Sequence, residues 1–192
     1  MKTQKILRFI IICAVISGVF FLTSCQKQEQ IKEIMVIDDT TNLLVYARLQ
    51  DPLKEEMIKL VRAGVPIHCA FYVEFYKEKS FRDIRLTHKI VKNVMKYDNV
   101  KKNATVVTAL NGQIIEKAEF YDIDSAQLFM LEINSIPLIA TGSLDPQEKF
   151  YVKIKAKIGK EQYSLLNRYV SIFLPFMEEQ TKWHRKDFIW EN

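Results

Sequence analysis

Glycine is scarce in this chain, at five residues in 192, and histidine and cysteine occur only three times each. With so few glycines there is no GxGxxG, Walker or other phosphate-cradling loop, and no GxSxG occurs. His68, His88 and His184 show no HxxxH or His-x-His spacing and no accompanying cysteine pair, so no zinc site is expected. Glu55-Glu56 and Glu178-Glu179 are adjacent on helix-like segments, where neighbours diverge by about 100°, and they read as solvated charges rather than an acid/base dyad. No catalytic residue, metal or cofactor is predicted. Repeats, low-complexity tracts and Pro/Gly/Ser linkers are also missing, which favours one domain.

The one long apolar run is too short to cross a bilayer. Spanning about 30 Å of hydrocarbon takes roughly 20 apolar residues, whereas Phe9 to Leu22 is bracketed by Arg8 and Thr23-Ser24. Lys2, Lys5 and Arg8 precede the run, and Leu22-Thr23-Ser24-Cys25 closes it. A basic n-region, an apolar h-region and a small-residue cleavage site mark a secretory signal, and a cysteine just after the cut takes a lipid. Residues 1–24 are therefore expected to be a lipoprotein signal peptide, with Cys25 the lipidated residue and the membrane a partner through its acyl chains. Gln26, in place of an aspartate, favours the outer membrane and a periplasm-facing site if the organism is diderm.

Removing that segment takes away three basic residues, so the net charge of +5 falls to +2, 25 basic against 23 acidic. So small an excess gives no reason to expect a nucleic-acid partner. Cys13 leaves with the signal and Cys25 takes lipid, which leaves Cys69 without an intramolecular disulfide partner and safest when buried. Asn103-Ala104-Thr105 matches the N-glycosylation triplet and is read as chance.

Residues 25–33 read as the lipidated cysteine and a polar tether that holds the domain within about 25 Å of the bilayer. The folded domain is expected over residues 34–192. Ile34–Ile37 and Leu43–Leu49 flank a polar turn, a hairpin pattern. Asp51 and Pro52 suit the start of a helix that runs to Ala63, Leu53, Met57, Leu60 and Val61 share its apolar face, and Gly64 suits its left-handed end. Val65 to Lys77 alternates, with Cys69 among the core positions and His68, Tyr72, Glu74 and Tyr76 on the wetter face. His68 and Cys69 thus point oppositely and cannot form a nucleophilic pair. Residues 82–97 read as a long strand-like segment whose phase slips near Ile90-Val91, which suggests a bulge or a split strand. Asn111-Gly112 between two β-rich runs is a strong hairpin signal. Asp124 and Gln127 suggest a capping box before Ala126, Phe129, Met130 and Ile133. Ser135–Gly142 and Phe150–Ile158 read as strands, and a last helix over Gln162–Leu174 stops at Pro175. The sum is an α+β fold, an antiparallel β-rich sheet or sandwich-like core with two to three packed helices.

Two surfaces stand out. Tyr151, Lys153, Lys155 and Lys157 share one face of a strand, with ammonium groups at about 7 Å spacing that could meet lipid phosphates, anionic glycans or an acidic protein. Against that, lysines also keep a sheet edge from pairing. Trp183, Phe188 and Trp190 crowd the last ten residues, either folding back to seal the sheet or projecting as an interaction tail.

Ala63-Gly64-Val65-Pro66 at the helix-to-strand step, Tyr97-Asp98, Phe150-Tyr151-Val152, Leu174-Pro175, and Trp183 with Trp190 follow one another in an order that resembles the DUF4390 domain, a bacterial envelope family of unknown function. The resemblance covers about residues 34–190 and carries no catalytic residues. It implies at most a regulatory or envelope-sensing link. The function expected is a non-enzymatic envelope lipoprotein that binds a protein partner through a sheet face or its aromatic tail. The alternative is a lipid- or small-ligand-binding module with helices over a cavity.

Overall fold

The computed structural model describes residues 30–160 and 178–189. The chain alternates apolar and polar residues over most of this length, and the result is mainly antiparallel sheet with two helices among the described residues. The fold class is α+β, as expected. The strands are β1 (Ile31–Asp38), β2 (Asn42–Leu49), β3 (Ile67–Lys77), β4 (Ile84–Asp98), β5 (Asn103–Leu110), β6 (Gln113–Phe120), β7 (Glu132–Ala140), β8 (Lys149–Lys160), β9 (Glu179–Gln180) and β10 (His184–Ile189), with helices α1 (Glu55–Arg62) and α2 (Ile123–Met130). The expected helix over Gln162–Leu174, and Trp190, lie outside the described residues.

Two sheets result. The smaller has the order β1-β2-β7, and the larger runs β10-β8-β3-β4-β5-β6 with β9 also on β8. Leu43, Val45 and Ala47 of the small sheet, Met57 and Val61 of α1, Ala126 and Met130 of α2, and the inner face of the large sheet form one continuous core. In β3 that inner face is the predicted one: Cys69, Phe71, Val73 and Phe75 are fully buried. In β8 it is Phe150, Val152, Ile154, Ala156 and Ile158, all buried.

Local signals set the turns. Asn111 and Gly112 have φ of 50° and 86°, the pair of positive values that a two-residue hairpin with the sheet's twist requires. Gly64, at φ 82°, ends α1 in a Schellman motif: its N–H donates to Val61 O at 2.8 Å and the Val65 N–H donates to Leu60 O at 3.0 Å. Asp39 Oδ1 accepts from the Thr41 and Asn42 N–H groups in the β1–β2 turn.

The structure moves several boundaries. β1 opens at Ile31, which is buried, three residues before the expected start of the folded domain. α1 begins at Glu55 with no side-chain cap, because Asp51–Leu53 carries the chain away from β2 and buries Leu53 instead. α2 is capped by Asp122, whose Oδ1 accepts from the Ser125 N–H at 2.7 Å, not by Asp124. Ile133 belongs to β7 and not to the helix. The irregularity in β4 falls at Leu86, which is skipped between the pairs Phe75–Thr87 and Tyr76–Arg85. The change of phase at Ile90-Val91 coincides with the point where β5 ends and Asn111 Oδ1 accepts the Ile90 N–H.

Among the described residues Asn93, Thr108, Gln127 and Thr181 are buried polar residues, and Asn93 is the least exposed of them. Asn93 of β4 is 1% exposed, and its Nδ2 donates to Met130 O and Glu132 O, both at 2.9 Å. It thereby fastens the α2–β7 junction to the large sheet. Removing one partner from a buried hydrogen bond costs about 1–3 kcal/mol. Asn93→Ala should lower the urea unfolding free energy by about that much, and Asn93→Asp by more, since it replaces two donated bonds with a buried charge facing carbonyls. An Asn93→Asp protein as stable as the parent would contradict this assignment.

Candidate functional site

Opposite the core, the large sheet presents a second face. Pairing between β3 and β8 runs without a break from Ile67–Lys160 to Lys77–Phe150. It sets Tyr72 beside Lys155, Glu74 beside Lys153 and Tyr76 beside Tyr151. β10 adds Arg185 beside Lys153 and Asp187 beside Tyr151, and β4 adds Arg85 beside Tyr76. None of these side chains belongs to the core cluster. The two polar faces that the sequence shows separately, on β3 and on β8, are one surface.

At the end of this surface near the β3–β4 turn the groups are locked together. Tyr76 and Tyr151 stack at 5.0 Å with 11° between their planes, and the Arg185 guanidinium lies 3.7 Å from the Tyr151 ring centre. Tyr151 Oη donates to Asp83 Oδ2 at 2.7 Å and Tyr76 Oη donates to Glu74 Oε2 at 2.8 Å. Arg85 pairs with Glu74, and Arg185 with Glu78 and Asp187. Tyr151 is therefore 2% exposed, which corrects its expected place as an open binding residue. Burial, reinforced by the hydrogen bond to Asp83, pushes its hydroxyl up to about 12. The same bond holds the Asp83 carboxyl below its usual range.

The lysines differ from one another. Lys157 pairs with Glu178 at 3.0 Å, and this raises its pKa. No carboxylate among the described residues pairs with Lys153 or Lys155. Lys153 Nζ lies 5.2 Å from the Tyr76 ring centre and 5.7 Å from that of Tyr151. Lys155 Nζ lies 5.9 Å from Tyr72 and 5.8 Å from Trp183. Each such contact contributes about 0.5–1 kcal/mol at an exposed site, enough to position the ammonium without neutralising it. β8 is flanked by β3 and β10, so these lysines guard no sheet edge.

The aromatic end of the chain divides. β10 folds back along β8, and Phe188 joins the core by stacking at 5.7 Å on Phe75 and 5.9 Å on Phe150. Phe188 is thus not part of an interaction tail. Trp183, just before β10, is 44% exposed beside Lys155. Arg185 and Asp83 escaped sequence reasoning; the alternation of Arg185 and Asp187 against Phe188 was the signal available for the first, and nothing local marked the second.

Elsewhere, an open cleft of about 440 Å³ is lined by Arg62, Tyr97, Asn99, Tyr121 and the first residues of α2. Its Asp122 is occupied as a helix cap. Among the described residues there is no group of three or more His, Cys, Asp or Glu side chains placed to hold a metal, and no helix long and apolar enough to cross a membrane.

The profile of a family described as a domain of unknown function, DUF4390, matches residues 26–187. No curated protein and no solved structure matches the chain.

The raised Tyr151 pKa has a measurable consequence. The folded chain holds this proton more tightly than the unfolded chain, whose tyrosine titrates near 10, so the stabilisation is complete below pH 10 and is lost as pH rises through about 12. Urea midpoints at about pH 9 and about pH 11.5 should fall further for the parent than for Tyr151→Phe. Equal falls would show that Tyr151 is not the group responsible.

Proposed function

The chain belongs to the DUF4390 family, and from that premise we propose that it is a lipid-anchored, non-enzymatic binding module of the bacterial envelope. Its working surface is the outer face of the large sheet. The observation that carries this reading is the pair of ammonium groups, Lys153 and Lys155, which stand among Tyr72, Tyr76, Tyr151 and Trp183 with no carboxylate partner among the described residues. Half-buried cations set in aromatic surroundings suit capture of an anionic partner. The two sheets close over their shared core like a sandwich and leave this face to the partner. Cys25 supplies the anchor, and the short stretch to Ile31 keeps the domain close to the bilayer, facing the periplasm from the outer membrane in a diderm cell. The partner is another envelope component, protein or polymer, and a sensing role fits the same arrangement. Binding in a cavity under the helices fits less well, because α1 and α2 place Met57, Val61, Ala126 and Met130 directly into the core.

Two measurements test this. Cys25→Ser should leave the chain unlipidated and release it from the membrane fraction, and inhibition of lipoprotein signal peptidase should accumulate precursor; unchanged mobility would end the lipoprotein reading. A photoreactive phenylalanine at position 72 should crosslink an envelope component in living cells, while the same group at position 56 on α1 should not. Equal labelling from both positions would remove the outer face as the working surface.

A further inference from the structure

We propose that the outer face recognises an acidic glycan strand, with Lys155 as the anion contact and Trp183 and Tyr72 as the platform for the adjoining sugar rings. This rests on the binding-module reading above and names the ligand class for the same surface. Two features of the face select the ligand.

The first is what the face does not offer. β3 lies between β4 and β8, and β8 lies between β3 and β10. Their main-chain N–H and C=O groups are therefore engaged in ladders on both sides. A peptide gains most on a sheet by adding to an edge, where its amides find partners. Laid across this face, its amides would find none. A sugar strand carries no such demand, since its hydroxyls stay in water while its C–H faces cover aromatic rings.

The second is where charge is left over. The carboxylates around the face are engaged: Glu74 with Arg85, Glu78 and Asp187 with Arg185, and Glu178 with Lys157. Lys155 is the clearest exception among the cations. Its ammonium is 5.9 Å from the Tyr72 ring and 5.8 Å from the Trp183 ring, and Trp183 is 44% exposed. A carboxylate or phosphate on the sugar would accept a charge-assisted hydrogen bond from Lys155, and Lys153 lies two residues along the same strand, about 7 Å away, to meet a second anion. The locked Tyr76–Tyr151–Arg185 stack, whose rings already face one another, acts as the fixed wall at one end.

The test uses the full lipidated protein in detergent micelles, titrated calorimetrically with octagalacturonate and with a hyaluronan octasaccharide. Maltooctaose supplies the neutral comparison and hexaglutamate the acidic peptide. At least one acidic octasaccharide should bind, and maltooctaose should bind on the order of tenfold more weakly or not at all. Lys155→Gln and Trp183→Ala should each weaken binding by about tenfold, Lys155→Arg should retain it, and Lys59→Gln on α1 should leave it unchanged. Circular dichroism of each variant separates lost binding from lost fold. Affinity unaffected by Lys155→Gln, or hexaglutamate bound as tightly as the glycans, would overturn the proposal. If neither glycan binds while position 72 still crosslinks an envelope protein, the glycan inference falls and the binding-module reading stands. If neither glycan binds and position 72 crosslinks nothing, both fall.

Discussion

The pairing of β3 with β8 is the contact on which the rest of the molecule depends. It joins residues 67–77 to residues 149–160 over the whole length of β3 without a register shift. Because side chains alternate across a strand, this one register decides both faces at once. On the inside it brings Phe75 within 5.5 Å of Phe150, and Phe188 of β10 closes over both. On the outside it stacks Tyr76 on Tyr151 and sets Lys155 beside Tyr72. A slip of one residue would either turn Phe71, Val73 and Phe75 to solvent or drive Lys153 and Lys155 into the core.

Around that pairing the two sheets are joined by apolar burial and by the buried amide of Asn93. Asn93 sits at the middle of β4, where its neighbours Val91 and Met95 are fully buried. Its side chain reaches the carbonyls of Met130 and Glu132, at the step from α2 into β7. An asparagine in such a place restricts how the small sheet can lie on the large one, since apolar contacts alone tolerate sliding and two donated hydrogen bonds do not. The same logic holds at the outer surface, where ion pairs and hydrogen bonds around Tyr151 fix the side chains that flank the lysines.

Much of the architecture was legible from local pattern. The Asn111-Gly112 turn, the Gly64 helix end and the alternation of β3 and β8 each follow from backbone sterics or from a period of two, and each stands where expected. The misses also have local causes. Asp51 and Asp124 looked like helix caps, but a cap depends on where the preceding strand releases the chain, and only Asp122 stood at such a point. Phe188 and Trp183, five residues apart, looked like one aromatic tail. β10 turns the first inward and leaves the second half-exposed, because position along a paired strand and position before it obey different constraints.

The sequence by itself determined the turns, the inner faces of the strands, the α+β class and the family resemblance, because each is written in neighbouring residues. It also showed the lysine row and the tyrosine row, one on each of two strands. Only the tertiary structure decided that these rows are a single surface, that β8 lies inside the sheet and not at its edge, and that Tyr151 is buried under Arg185 while Lys155 stands between two rings with no carboxylate paired to it among the described residues. The reason is sequence separation: 71 residues, 78–148, lie between β3 and β8, and no periodicity within either strand can state which other strand will lie beside it.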